Sequence, residues 1–216
     1  MSKLLSKSAA FALAMLAGTA SAHAGVIFHS VAFDAAPAPG ETMVVDFDHP
    51  NAAGYSMTWS NQADIFQGLL VAGWAAPPVN DETKYLSVFT NGIATLTAPG
   101  ILKSLSVYIG SVDNYNLITF HGQNGFSQSF NGSQLNTPAN GDQHDALTNR
   151  RFFFNFINSD LINQVTFTSS GNSFEFDNIA ANDPPSRVPE PMTLSLFAAG
   201  LAGAAAMRRR RKLASA

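Results

Sequence analysis

A chain of 216 residues that is 46% hydrophobic and only 12% charged is apolar enough for a core and too sparsely charged for a disordered polyelectrolyte. It has no cysteine, which excludes disulfides and thiol chemistry. Seven of the 12 basic residues sit in the terminal segments and all 15 acids lie between Asp34 and Glu190, so the middle holds five bases against 15 acids, a net charge of −10 that disfavours nucleic acid and anionic lipid.

Residues 1–24 have the parts of a secretory signal peptide. Lys3 and Lys7 form a positive start, and Phe11 to Gly18 lies in a short apolar run. Ala22-His23-Ala24 fits the small-x-small rule, so signal peptidase is expected to cut between Ala24 and Gly25. An uncleaved anchor helix is the alternative.

From Gly25 to Ala181 alternation replaces helical periodicity. Met43–Asp48 reads as a strand, as does Tyr55–Ser60 with Tyr55, Met57 and Trp59 on one face. Tyr85–Thr90 and Ile93–Thr97 flank Asn91-Gly92, a strong hairpin signal because both residues tolerate positive φ. Leu105–Ile109 follows, and then Leu117–His121 turns near Gln123-Asn124-Gly125 into Phe126–Phe130. Phe152, Phe154 and Phe156 share one face of a later strand. Val165–Thr168 and Ser173–Asp177 flank Ser170-Gly171-Asn172 as a last hairpin. Nine or ten short strands with turns between them predict an all-β fold, an antiparallel β-sandwich of jelly-roll type over residues 25–181. The 17 Phe suit two facing sheets with bulky inward residues. A closed barrel is the runner-up.

Catalytic motifs are missing. Gly125-Phe126-Ser127-Gln128-Ser129 fails the nucleophile-elbow pattern at its last position, and there is no His-Glu-x-x-His or P-loop. The domain is therefore expected not to be an enzyme, although a glycosidase pair among Asp46, Asp48, Glu175 and Asp177 is compatible with the sequence. Asp46-Phe47-Asp48 and Glu175-Phe176-Asp177 each put two carboxylates on one strand face, which makes Asp46, Asp48 and Asp177 candidates for a structural Ca2+. Asp113, Asn114 and Asn116, and then Asp142, His144 and Asp145, are further oxygen-rich clusters. The plainer reading of all of these is turn formation. For a glycan, an exposed aromatic platform with amide hydrogen-bonders is needed, and Trp74, Asn114, Tyr115 and Asn116 are the candidates. Trp59 alternates like a core residue, and the polar stretch Ser133–Arg151 reads as a long loop.

Residues 182–188 form a stiff polar linker containing Pro184 and Pro185. Residues 189–212 follow, with an uncharged run at 192–207 that spans roughly 24 Å as a helix, short for a hydrocarbon layer of ~30 Å. Arg208, Arg209, Arg210 and Arg211 resolve the shortfall, because long basic stems snorkel and stay on the cytoplasmic side. The expected topology is a membrane-inserted C-terminal transmembrane helix with the domain outside.

Val188, Pro189, Glu190 and Pro191, an Ala/Gly/Leu helix and a terminal Arg run together resemble the PEP-CTERM sorting signal of Gram-negative bacteria. The same kind of tail is also catalogued as an ice-binding-protein C-terminal domain. The resemblance implies an exosortase as processing partner and delivery to the cell surface or an extracellular matrix. Gly110–Asn116 resembles a motif of PEP-CTERM surface domains. Ser173–Ile179 resembles the closing strand of those domains and of galactose-binding-like jelly rolls. The expected role is non-catalytic contact with exopolysaccharide, gaining strength through avidity. A structural coat protein and a carbohydrate-active enzyme are the rivals.

Overall fold

A computed structural model describes residues 25–68, 74–157 and 161–183. Ala24 of the cleavage site, the sorting motif Val188–Pro191, the 192–207 helix and Arg208–Arg211 lie outside the described residues.

The architecture is an all-β antiparallel sandwich of two sheets. In chain order the strands are β1 (Gly25–Ala32), β2 (Thr42–Val45), β3 (Ser56–Trp59), β4 (Ala63–Gln67), β5 (Lys84–Val88), β6 (Gly92–Thr97), β7 (Ser104–Gly110), β8 (Asn116–Gly122), β9 (Ser127–Asn131), β10 (Arg150–Ile157), β11 (Ile162–Ser169) and β12 (Phe174–Asn182). A short helix, α1 (Gly132–Leu135), follows β9. The seven-stranded sheet runs β1-β10-β7-β12-β5-β4, with β2 also paired to β12, and the five-stranded sheet runs β3-β6-β11-β8-β9.

The core lies between the sheets. Leu86, Val107, Ile109, Phe152, Phe154, Phe174 and Phe176 come from the larger sheet and are fully buried; Leu96, Ile118, Phe120, Val165 and Phe167 answer from the smaller one. Phe167 stacks on Phe176 at 4.2 Å between ring centroids, and Phe120 lies 4.8 Å from Phe154. The expected shared face of Phe152, Phe154 and Phe156 is observed, with Phe156 partly buried against the core.

Two expected hairpins are sheet crossings instead. Asn91 does adopt a positive φ of 64°, but β5 before it belongs to the larger sheet and β6 after it to the smaller. The turn at Ser170-Gly171-Asn172 likewise sends β11 into the smaller sheet and β12 into the larger. A tight turn fixes the local backbone, whereas the sheet each flank joins depends on long-range pairing: β12 finds β7 and β5, and β11 finds β6 and β8. The β8–β9 hairpin forms as expected. Strands β1 and β4 were not legible as such. Trp59 does not enter the core: β3 is an edge strand, Met57 is its buried residue and Trp59 is 41% exposed.

The outer face of the larger sheet positions the site. Strand alternation opposite Phe174, Phe176, Ile109 and Phe152 turns Glu175, Asp177, Tyr108 and Arg151 outward, with Tyr85 and Ser87 beside them. All six are nonetheless buried. The β4–β5 connection folds over them, with Val79 accepting from the Tyr108 hydroxyl at 2.5 Å. Arg151, 1% exposed, donates to Asp34 at 2.6 Å, to Ser106 Oγ at 3.1 Å and to the Asn178 carbonyl at 2.8 Å, so its buried charge is paired.

Candidate functional site

Four connections meet at one end of this covered face and leave a polar cleft of about 210 Å³. The β4–β5 connection supplies Trp74, β7–β8 supplies Asp113 and Tyr115, β9–β10 supplies Asn140 and Gln143, and the β11–β12 crossing supplies Asn172. Glu175, at the start of β12, is also in the lining, beneath Ser111 and Ser173.

Asn149 ties the connections together. It is buried, and its Oδ1 accepts from the amides of Ser111 at 3.1 Å and Val79 at 3.2 Å. Its Nδ2 donates to the carbonyls of Asp142 at 3.1 Å and Asp145 at 3.0 Å. One amide thus fixes the β4–β5 cover, the end of β7 and the long loop relative to one another. The side chains of Asp142 and Asp145 accept from the amides of His144 and Leu147, both at 2.9 Å, and so close turns within that loop.

Trp74 is 57% exposed at the mouth of the cleft, its indole edge-on to Phe89 at 5.5 Å. The half-buried Tyr115 ring lies on Gly171, where a Cβ would come within 2.9 Å of it. Its hydroxyl sits 2.6 Å from both Asp113 Oδ2 and the Asn172 carbonyl and shares one proton between them. Burial raises the Tyr115 hydroxyl above its ordinary value, and the hydrogen bond to Asp113 adds to this. Burial also raises the Asp113 carboxyl, partly offset by the Tyr115 hydroxyl. Gly141, at φ +67°, presses its backbone against that carboxylate: an added Cβ would stand 2.5 Å from both oxygens.

Glu175 is 2% exposed. Burial pushes its carboxyl up to about 7, against the opposing pull of the Ser173 hydroxyl, the Ala76 amide and the Ser111 hydroxyl. The amide of Ala76 lies at 3.2 Å and Ser111 Oγ at 3.1 Å.

The four candidate glycan residues separate. Trp74 and Tyr115 line the same cleft, next to Asn140 and Gln143 of the predicted long loop. Asn114 is exposed beside them but outside the lining. Asn116 is fully buried; it accepts from the Asp113 amide at 2.7 Å and donates to the Ser173 carbonyl at 3.1 Å, so it shapes the connection without facing the cleft.

The carboxylates Asp46, Asp48 and Asp177 do not gather, and no cluster of three or more acidic or histidine side chains fit to hold a metal ion occurs among the described residues. Asp46 and Asp48 lie past the end of β2 in a turn, with Phe47 at φ 56°, so strand alternation does not align them. Asp46 Oδ1 accepts from the amides of Asp48 at 3.2 Å and His49 at 2.9 Å, and Oδ2 lies 2.8 Å from His49 Nδ1. Burial would raise the Asp46 carboxyl, but the contacts with His49 bring it below its ordinary value. Asp48 Oδ2 accepts from the Lys84 amide at 3.1 Å. Asp177 is fully buried, its Oδ2 accepting from Thr83 Oγ1 at 3.1 Å. Its Oδ1 and the Oδ2 of Asp81 are both buried and have no other donor, so a proton on Asp177 is what bonds the two carboxyls. Burial and the neighbouring Asp81 charge push the Asp177 carboxyl up to about 9.

Glu175, a candidate carboxylate in the sequence, falls in the cleft, whereas Asn140, Gln143 and Asn172, with Asn149 behind them, are not singled out by any motif. For Asn140, Gln143 and Asn149 the sequence signal is the length and polarity of the 133–151 stretch, and for Asn172 it is only the turn at Ser170-Gly171-Asn172.

No family model matches the chain, and no curated protein matches it. Among solved structures it is similar to a peptidoglycan O-acetylesterase (TM-score 0.37, 15% identity, 67% of this chain and 34% of that one). It is also similar to TmCBM61 in complex with β-1,4-galactotriose (TM-score 0.32, 8% identity, 60% and 88%). A third is a family 11 carbohydrate-binding module from Clostridium thermocellum in complex with a β-1,3-1,4-mixed-linked tetrasaccharide (TM-score 0.28, 15% identity, 66% and 95%). The chain spans about a third of the esterase's length. Likenesses at this level leave the function to be read from the cleft itself.

Proposed function

We propose that the protein is exported, processed by an exosortase at its C-terminal signal, and works at the cell surface or in the extracellular matrix as a non-catalytic exopolysaccharide-binding sandwich. The observation that carries the binding role is the pairing of an exposed indole, Trp74, with a cleft rich in hydroxyl, amide and carboxyl groups. A sugar ring offers an apolar face to stack on the indole and a rim of hydroxyls to exchange hydrogen bonds with Asp113, Tyr115, Asn140, Gln143 and Asn172. A small open cleft gives modest affinity per molecule, and many copies on a surface multiply it. The sorting role is supported by the order of motif, apolar run and arginines at residues 188–211.

Co-sedimentation of the full-length protein with exopolysaccharide from its own matrix tests the binding role. Binding that falls at least about tenfold in Trp74→Ala supports it; binding unchanged by that substitution sinks it. Processing is tested separately, by whether Pro189→Ala with Pro191→Ala leaves the tail attached in cells that hold an exosortase.

A hydrolase reading has one observation in its favour: two carboxyl groups with raised pKa, Asp113 and Glu175, line the same cleft. Release of reducing ends from the polysaccharide, abolished by Glu175→Gln, would establish it. The carboxylates favoured from sequence, Asp48 and Asp177, are not in the cleft lining.

A further inference from the structure

Resting on that reading of the cleft, we infer that it selects sugars bearing a free, protonated amine, with the ammonium seated on Asp113 and the ring on Trp74. The lining holds two carboxyl groups, Asp113 and Glu175, and, among the described residues, no Lys, Arg or His. A cleft of that composition, in a domain of net charge −9 over residues 25–181, repels uronic acids and other anionic units at its mouth.

Asp113 is the group with capacity to spare. Tyr115 occupies its Oδ2 at 2.6 Å, and Oδ1 has no hydrogen-bond partner among the described residues. The position is built and held. The Asp113 amide is anchored on Asn116 Oδ1 at 2.7 Å, its carbonyl accepts from the Asn116 amide at 3.1 Å, and the bare Gly141 backbone closes one side of the carboxylate. A half-buried carboxylate raised by desolvation and lacking a cation is relieved by a ligand that brings one. Glu175 stands behind Ser111 and Ser173, its oxygens already engaged with three donors, and with its carboxyl pushed up to about 7 it is mostly neutral at pH 6, which leaves Asp113 as the seat for a cation. The exposed indole adds attraction for a cation over its face. N-acetylation removes the charge and adds bulk where the ammonium would sit.

The test is calorimetric titration of the full-length protein at pH 6 and low salt with four tetrasaccharides: a glucosamine, an N-acetylglucosamine, a glucose and a galacturonic acid oligomer. The glucosamine oligomer is expected to bind about tenfold or more tighter than its N-acetylated counterpart, as for one added charge-assisted hydrogen bond. Asp113→Asn, which keeps an acceptor for the Tyr115 hydroxyl, is expected to erase that preference and retain the weak binding of the neutral oligomers. Trp74→Ala is expected to weaken all of them. Raising salt at fixed pH is expected to weaken only the glucosamine oligomer in the wild-type protein, a readout that does not need the variant to fold.

Equal binding of the aminated and acetylated oligomers, or tighter binding of the galacturonate, overturns the inference, and Trp74-dependent binding of neutral sugars would then leave the glycan-binding reading standing. No binding of any oligomer or of the matrix polysaccharide removes both. Calcium alone raising the melting temperature, with the rise lost in Asp113→Asn, reassigns the carboxylate to a metal and also overturns the inference.

Discussion

Replacing Asp177 by Asn should change how stability depends on pH more than it changes stability at any single pH. The unfolded chain gives up this proton near 3.8, whereas burial and the Asp81 charge hold it in the folded protein up to about 9. The folded state therefore keeps a proton that the unfolded state has lost. The stability this contributes is fully present below the unfolded value and declines as pH rises through the folded one. The slope for one proton is about 1.4 kcal/mol per pH unit, so between pH 6 and pH 8 the wild-type protein loses about 3 kcal/mol through this group. Glu175, pushed up to about 7, adds a slope of the same sign below neutrality and is shared by both proteins. Asn cannot ionise, and its amide can replace the Asp177 proton in the side-chain hydrogen bond with Asp81. Urea denaturation of both proteins at half-unit steps from pH 5 to pH 8 gives the comparison. The variant should gain on the wild type by about 3 kcal/mol from pH 6 to pH 8. A difference that stays constant across that range would refute the buried, proton-holding assignment of Asp177.

Asn149→Ala strips the common anchor of three connections and leaves buried amides unpaired; denaturant unfolding should show a loss of about 2–4 kcal/mol. Gly141→Ala combines a positive φ with a Cβ 2.5 Å from the Asp113 carboxylate, so a loss of about 1–2 kcal/mol in thermal unfolding and weaker glycan binding in the same preparation are expected. Phe167→Ala removes the stack on Phe176 and the edge-on contact with Phe174 between the sheets and should cost about 3–5 kcal/mol by urea titration.

How far the sequence reaches depends on the range of the interaction that decides each feature. Alternation is local, so Phe174 and Phe176 facing one way with Glu175 and Asp177 facing the other was legible. The positive φ at Asn91 was legible as a turn, but not the parting of β5 and β6 into different sheets, which is settled by partners far along the chain. Trp59 and Trp74 show the same limit: both are exposed, yet Trp59 was read as core because the pattern does not say that β3 ends at a sheet edge. Trp74 and Tyr115 were legible as a pair of candidates. Glu175 was not legible as their neighbour, because its place in the cleft depends on how the β4–β5 connection folds back over the sheet. Asp46 illustrates competition between two local rules. Two carboxylates around one residue suit a strand face, but an Asp that takes the amides two and three residues on makes a turn, and the turn prevails.

The chain has two tryptophans, and both are exposed: Trp74 at the cleft and Trp59 at the edge of the other sheet. Tryptophan fluorescence during titration with exopolysaccharide fragments, in the wild type, Trp74→Phe and Trp59→Phe, therefore reads the location of binding directly. The account predicts a saturable change that survives in Trp59→Phe and vanishes in Trp74→Phe. A change that survives loss of Trp74 and vanishes with Trp59 would place the ligand on the wrong sheet and contradict it.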